Sequence, residues 1–216
     1  MNIDLLSMIR EAREKAGKRN FKQSVELIIS LKDIDVKKGF SFNEVINLPN
    51  ELNRKARVCV IASGDLALRA RRAGADKVIE PDELNALAAN KREAKRLSKS
   101  YDFFLADTQL MATVGKVLGA VLGPKGKMAM PLAFNAPVDS IISRLRSSTR
   151  VRTRGQLMLA CKIGDEDMSD EKLAENAQAV INAVEKKLPA GEANIARITV
   201  KFTMGKPVRS LVKVVK

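Results

Sequence analysis

The period of the hydrophobic pattern changes twice along the chain, and this change limits the fold more than any other feature. Residues 23–31 alternate apolar with polar side chains, and residues 198–203 do so again near the other end. Such alternation is typical of antiparallel strands that bury one face. Between these segments, apolar runs such as Arg57–Ser63 alternate with helical stretches. That order favours a parallel sheet packed between helices.

Helical spacing and stop signals place the remaining elements. They predict helices over residues 3–16, 66–73, 109–119 and 137–147, one from Pro81 that continues or restarts through 91–98, and one between Ser169 and Pro189. Residues 151–163 have strand character, and 208–216 form a last strand. The patterns favour an α+β portion made from both ends, interrupted by an α/β portion inserted near residue 55 and leaving near residue 150. Periodicity alone permits three consecutive pieces equally well.

The charge balance points to a polyanionic partner. Lys and Arg total 39 against 25 Asp and Glu, which gives a net charge of +14. Residues 143–154 hold five arginines and no acid, and residues 91–99 hold five cations against Glu93. Clustered cations neutralise phosphates, so they indicate nucleic acid. A basic surface without a partner has the same composition.

Several chemistries are excluded by what the chain lacks. Histidine is absent and Cys59 and Cys161 are the only cysteines, so we predict no metal site and no Ser–His or Cys–His nucleophile. The loop Leu122–Met128 lacks the first Gly and the final Ser or Thr of a P-loop, and no G-x-G-x-x-G is present. We therefore predict no cofactor and no enzyme. Without a signal peptide or a long apolar run, we expect a cytoplasmic protein with no membrane partner.

Two glycine-containing turns are candidate contacts with a ligand. Thr203–Lys206 follows an alternating strand, and a Gly there lets the backbone approach a partner closely. An ordinary hairpin turn explains the same residues. Leu122–Met128 holds two glycines and two lysines, which can present N–H groups and charge to a phosphate, or form a structural turn.

Together with Asn20-Phe21, Ser24 and Glu26, these two turns resemble the universal ribosomal protein one family of the large subunit, the ribosomal stalk proteins, in its archaeal branch. The likeness covers essentially the whole chain. It implies a structural constituent of the large subunit that binds rRNA at the mobile stalk near the tRNA exit site. It also implies a translational repressor that binds a similar structure in its own mRNA, and exit-site tRNA as a further partner. Away from the ribosome we expect a monomer.

The resemblance also implies the domain organisation. It predicts a split two-domain α+β protein, in which residues 1–54 and 150–216 form a discontinuous α+β domain one with the main RNA site. Residues 55–149 form an inserted Rossmann-like α/β domain two.

The RNA-binding residues that the resemblance and the charge pattern together predict are Phe21, Ser24, Glu26, Arg152, Arg154, Lys201, Thr203, Met204, Gly205 and Lys206. Lys201 and Lys206 are included for their charge, because many relatives carry other residues there. A secondary RNA contact is predicted at Gly123, Lys125, Gly126 and Lys127. The alternatives are an α/β enzyme acting on nucleic acid or nucleotides, and a repressor with little ribosomal role.

Overall fold

The computed structural model describes residues 4–35, 40–153 and 155–211 of the chain. These residues form two compact units. The terminal unit combines the chain up to Arg54 with the chain from Ser147 onward, and the central unit spans Lys55–Arg146.

The helices and strands follow in chain order. They are α1 (Leu5–Glu14), β1 (Ser24–Leu31), β2 (Asn43–Asn47), β3 (Val58–Ile61), α2 (Gly64–Arg72), β4 (Lys77–Ile79), α3 (Pro81–Ala89), α4 (Lys91–Ser100), β5 (Phe103–Asp107), α5 (Met111–Leu122), β6 (Met130–Leu132), α6 (Val138–Arg146), β7 (Ser148–Arg152), β8 (Met158–Asp165), α7 (Asp170–Glu185), β9 (Ile195–Phe202) and β10 (Val208–Leu211). Short 3-10 helices cover Thr108–Leu110 and Gly191–Asn194.

The main sheet of the terminal unit has four antiparallel strands in the order β10-β9-β1-β8. Every second residue of β1 is buried, from Val25 to Leu31, so the sheet has one core face and one open face. Helices α1 and α7 contact each other and the sheet on the core face. The Ser169 side chain accepts a hydrogen bond from the Lys172 N–H and caps α7.

A second, two-stranded sheet pairs β2 with β7 in the same unit. The prediction of one strand region over 151–163 is therefore wrong in detail, because β7 and β8 lie in different sheets. Between them Gly155 adopts φ +71°, a left-handed conformation that is not compatible with one continuous strand.

The central unit holds a parallel sheet in the order β4-β3-β5-β6. Every residue of β3 and β5 is buried, as the continuous apolar pattern predicts for strands covered on both faces. Strand β6 has three residues, one of them Pro131, and gave no recognisable pattern. Helix α5 starts at Met111, after a 3-10 turn, rather than near residue 109.

Other helix ends agree with local signals. The Asn90 Oδ1 accepts from the Glu93 N–H at 3.2 Å, so the predicted helix from Pro81 stops at Ala89 and restarts as α4. Residues 212–216 of the predicted last strand lie outside the described residues. Among the helices of the described ranges, none combines the length and apolar content needed to span a bilayer.

Candidate nucleic-acid interface

The turn after β9 is fastened to the start of β1 through Thr203. The Thr203 N–H donates to the Ser24 carbonyl at 3.0 Å. The Thr203 Oγ1 accepts from the Ser24 N–H at 3.0 Å and donates to the Ser24 carbonyl at 3.2 Å. The hydroxyl thus extends the strand pairing by one residue and keeps one lone pair for another partner. Two of the predicted site residues are in direct contact although 179 positions separate them.

Gln23 organises the loops around this junction. It is 1% exposed, and its Nε2 donates to the Gly17 carbonyl at 3.0 Å. Its Oε1 accepts from the Met204 N–H at 3.4 Å, and its backbone carbonyl accepts from the Glu166 N–H at 3.0 Å. One buried residue therefore joins three surface segments. It was not among the predicted site residues.

Gly205 is needed for close packing. A Cβ at this position would lie 3.0 Å from the Ala16 Cα and 3.3 Å from the Ala16 Cβ. The turn therefore packs against Ala16, just after α1, and a larger residue would push it outward. The close approach that the Gly allows is to this protein's own backbone.

Arg13 connects α1 to the end of β9 and to the loop before α7. Its guanidinium lies 5.2 Å from the centroid of the Phe202 ring. It also donates to the Asp170 Oδ1 at 2.8 Å, the Glu166 carbonyl at 2.6 Å and the Met168 carbonyl at 2.8 Å. These contacts tie α1 to the start of α7, which makes the surface above them rigid. Sequence reasoning missed this residue, because its partners are more than 150 positions away.

Two large apolar side chains stand out from this framework. Phe21 is 49% exposed and Met204 is 62% exposed. Phe21 lies two residues before Gln23, whose side chain accepts from the Met204 N–H. Flat or flexible apolar groups on a polar surface can pack against sugars and bases.

The charges on the open face of the sheet are arranged by strand register. Glu26 pairs with Lys201 on β9 and with Lys162 on β8. The Lys201 Nζ lies 3.6 Å from the Glu26 Oε2 and donates to the Thr203 carbonyl at 3.0 Å. The Lys162 Nζ lies 2.5 Å from the Asp165 Oδ1. The predicted Glu26 is thus compensated by a neighbouring cation, which lowers its repulsion of a phosphate.

Further cations border this region. Lys206 is exposed, and so is Arg209, which pairs with Thr199 on the open face. Arg197 is exposed on the same face but pairs with Ser30, at the far end of β1 from Ser24. The Lys22 Nζ lies 2.6 Å from the Asp167 Oδ2, and this hydrogen bond raises the pKa of Lys22. Arg197 and Arg209 were not predicted, although the alternation of β9 and β10 contains the signal.

The predicted basic residues before β8 are not all part of this surface. Arg152 pairs with Asn43 in the two-stranded sheet. The chain then continues to Met158, which pairs with Ser30 at the far end of β1 from Ser24. Arg154 lies outside the described residues.

The predicted secondary contact belongs to the central unit, where its lysines have internal partners. The Lys127 Nζ donates to the Tyr101 carbonyl at 2.6 Å and to the Ser98 carbonyl at 3.2 Å. The Lys125 Nζ contacts the Ser98 hydroxyl. The Gly126 N–H donates to the Gly123 carbonyl at 2.8 Å. These bonds close the loop onto the end of α4.

Lys and Arg side chains clustered on one face of a domain are the electrostatic footprint of a nucleic-acid-binding protein. Residues 12–206 match the model of the Ribosomal protein L1p/L10e family, and the chain belongs to that family. The resemblance seen in the sequence is confirmed.

Relatives in archaea match over nearly the full chain, and each is named Large ribosomal subunit protein uL1. The protein of Cenarchaeum symbiosum is 53% identical over 206 residues, 95% of each chain. That of Thermofilum pendens is 50% identical over 194 residues, 89% of this chain and 85% of the relative. That of Methanothermobacter thermautotrophicus is 41% identical over 210 residues, 97% of this chain and 99% of the relative.

Proposed function

We propose that this protein is a structural constituent of the large ribosomal subunit in the cytoplasm and binds rRNA at the mobile stalk, near the tRNA exit site. Family membership and the names of the relatives support the ribosomal role. The observation that carries the RNA site is the Thr203–Ser24 junction, which brings the two predicted motifs to one surface.

In the proposed mode of binding, the turn and the start of β1 provide specificity, and the surrounding cations provide affinity. The turn and the start of β1 offer a hydroxyl lone pair, backbone groups and two exposed apolar side chains, which suit the 2′-hydroxyls and base edges of folded RNA. Lys201, Lys206 and Arg209 hold phosphates, which add affinity without sequence information. Arg13 and Gln23 act as positioning residues that fix the turn before RNA arrives.

The test is binding to a stalk-region rRNA fragment, measured over a salt series against a scrambled duplex of equal length. Met204→Ala should weaken specific binding by about 1–3 kcal/mol, with little change for the duplex. The matched control is Met158→Ala, because Met158 is 42% exposed and lies at the other end of the same sheet. Equal losses for the two variants, or none for either, would reject this surface as the RNA site.

We infer that the same surface represses translation by binding a similar structure in the protein's own mRNA. The unlabelled leader of that mRNA should then displace the rRNA fragment, and Met204→Ala should weaken both complexes in parallel. A leader that binds without displacing the rRNA would separate the two activities. For exit-site tRNA, the corresponding measurement is crosslinking from assembled large subunits.

We also propose a split two-domain fold, with residues 1–54 and 150–216 in domain one and 55–149 in domain two. The two compact units support it, although they divide at Arg54 and Ser147, because β7 pairs with β2 in the terminal unit. The parallel sheet of the central unit supports the Rossmann-like assignment of the insertion. Limited proteolysis should cut first near residues 53–57, which are mostly exposed where the chain enters the central unit, rather than at the return crossing, where the buried Ser148 begins β7. The family is structural rather than enzymatic, which favours a binding protein over an enzyme acting on nucleic acid. Sedimentation of the purified chain tests the expected monomer.

A further inference from the structure

A cleft opens in the central unit beside β4, the junction of α3 with α4, and the end of α4. Its volume is about 560 Å³, within the roughly 300–1,000 Å³ typical of small-ligand sites. Leu87 and Leu97, both buried, contribute the apolar part of its lining. Arg92, Arg96 and Tyr101 contribute polar and aromatic groups.

The two arginines are the cations available to a ligand. They are four positions apart on α4, so they are neighbours on one face of the helix. Across the three described ranges, neither guanidinium has a hydrogen bond or an ion pair. The third cation of the lining, Lys77, is already paired, because its Nζ lies 2.5 Å from the Glu83 Oε1. Two adjacent guanidinium forks can hold one phosphate group through several charge-assisted hydrogen bonds.

The charge balance of the lining still favours an anion. Its carboxylate, Glu93, accepts a hydrogen bond at 3.4 Å from the side-chain amide of Asn90, the residue that caps α4. Glu93 keeps its negative charge, and the two arginines outnumber it within the lining.

Tyr101 contributes an aromatic ring to the lining of the cleft. Its half-buried ring packs edge-on against Phe104, with centroids 6.3 Å apart and an interplanar angle of 78°. An acidic peptide needs only cations, whereas an aromatic ring and an apolar floor beside two guanidiniums also suit a nucleobase.

We propose that this cleft binds a nucleotide, with the phosphate on Arg92 and Arg96 and the base against Tyr101 and the leucine floor. The same chemistry is presented by a free nucleoside 5′-monophosphate and by one unpaired residue of an RNA strand. The site is separate from the proposed rRNA surface, because none of its residues belongs to the terminal unit.

The chain offers a single-site probe for the test. Tyr101 is the only tyrosine, and tryptophan is absent. Full-length protein that carries 3-fluorotyrosine gives one ¹⁹F resonance, which reports on the cleft. Adenosine monophosphate should shift this resonance saturably, whereas adenosine and inorganic phosphate should each bind more weakly. No shift at millimolar adenosine monophosphate would overturn the proposal.

Two double variants distinguish specific binding in the cleft from non-specific attraction to the positive charge of α4. Arg92→Gln with Arg96→Gln should weaken adenosine monophosphate binding by about tenfold or more, since both phosphate contacts are lost. Lys91→Gln with Lys95→Gln removes the same charge from the same helix outside the cleft lining, and should change affinity by less than about twofold. Circular dichroism verifies that both variants are folded. Equal weakening would show that only net charge matters.

Titrations with other ligands show whether the natural ligand is a free nucleotide or a residue of RNA. If a short single-stranded RNA binds more tightly than adenosine monophosphate and depends on the same arginines, the natural ligand is an RNA residue. If only the mononucleotide binds, it is a free nucleotide. A glutamate-rich peptide that shifts the resonance equally would overturn the proposal. Met204→Ala should leave all these titrations unchanged, so failure here and failure of the rRNA site are distinguishable.

Discussion

Replacing Thr203 with Val tests whether its hydroxyl holds the proposed RNA surface in place. The substitution keeps the shape and removes two hydrogen bonds to Ser24, at 3.0 and 3.2 Å. The Ser24 N–H then has no partner at a half-buried site, which costs about 1–1.5 kcal/mol. The Ser24 carbonyl keeps the bond from the Thr203 N–H, so the second loss is about 0.5 kcal/mol. The expected destabilisation of the terminal unit is about 1.5–2 kcal/mol.

Thr203→Ser is the matched control, because it keeps the hydroxyl and removes one half-exposed methyl group, at a cost of about 0.5 kcal/mol. Urea unfolding should move to lower denaturant by about 1 M for the Val variant, given a slope of about 1–3 kcal/mol per M. Hydrogen exchange of the Ser24 amide should accelerate in the Val variant alone. An unchanged unfolding midpoint together with a protected Ser24 amide would refute the reasoning.

Three other residue groups yield predictions from their burial. Burial raises the pKa of both Cys59 and Cys161 to about 12, so thiol reagents at pH 8 should label neither in the folded protein and both in urea. Gly164→Ala should destabilise the protein by about 1–3 kcal/mol, because its Cβ would lie 2.2 Å from the buried Leu173 Cδ2; an unchanged thermal midpoint contradicts this. Asn176 is 0% exposed and makes three hydrogen bonds, at 2.8, 2.9 and 3.1 Å. Its replacement by Ala should cost about 2–4 kcal/mol in urea unfolding, and a loss below about 1 kcal/mol would show that water replaces these bonds.

Local patterns predicted much of the fold because they depend on near neighbours. The alternation of β1 identified a strand with one buried face, and the buried β3 identified a sheet covered on both sides. The same alternation places Gln23 on the core side with Val25, which is the signal that could have identified it. Pattern reasoning failed at β6, where three residues are too few to show a period.

For the candidate site, the family resemblance identified some residues, and local patterns did not. The resemblance assigned Ser24 and Thr203, and their contact now has a geometric explanation. Arg13 could not be found, because its partners follow from how α1 packs on a loop far away in sequence. Arg152 was grouped with the site by charge alone, and the strand break after it places it in another sheet.

The position of β1 has a consequence for how the protein is made. Both neighbours of β1 come from beyond residue 157, so the strand leaves the ribosome long before either partner exists. The nearer partner, β8, begins about 130 residues after Leu31, at Met158, which at roughly 5–20 residues per second is about 6–25 s of synthesis. The central unit is contiguous in sequence, and its parallel strands have all their partners within it. The nascent chain should therefore fold its middle first, while an apolar strand without a partner is open to aggregation or to chaperones.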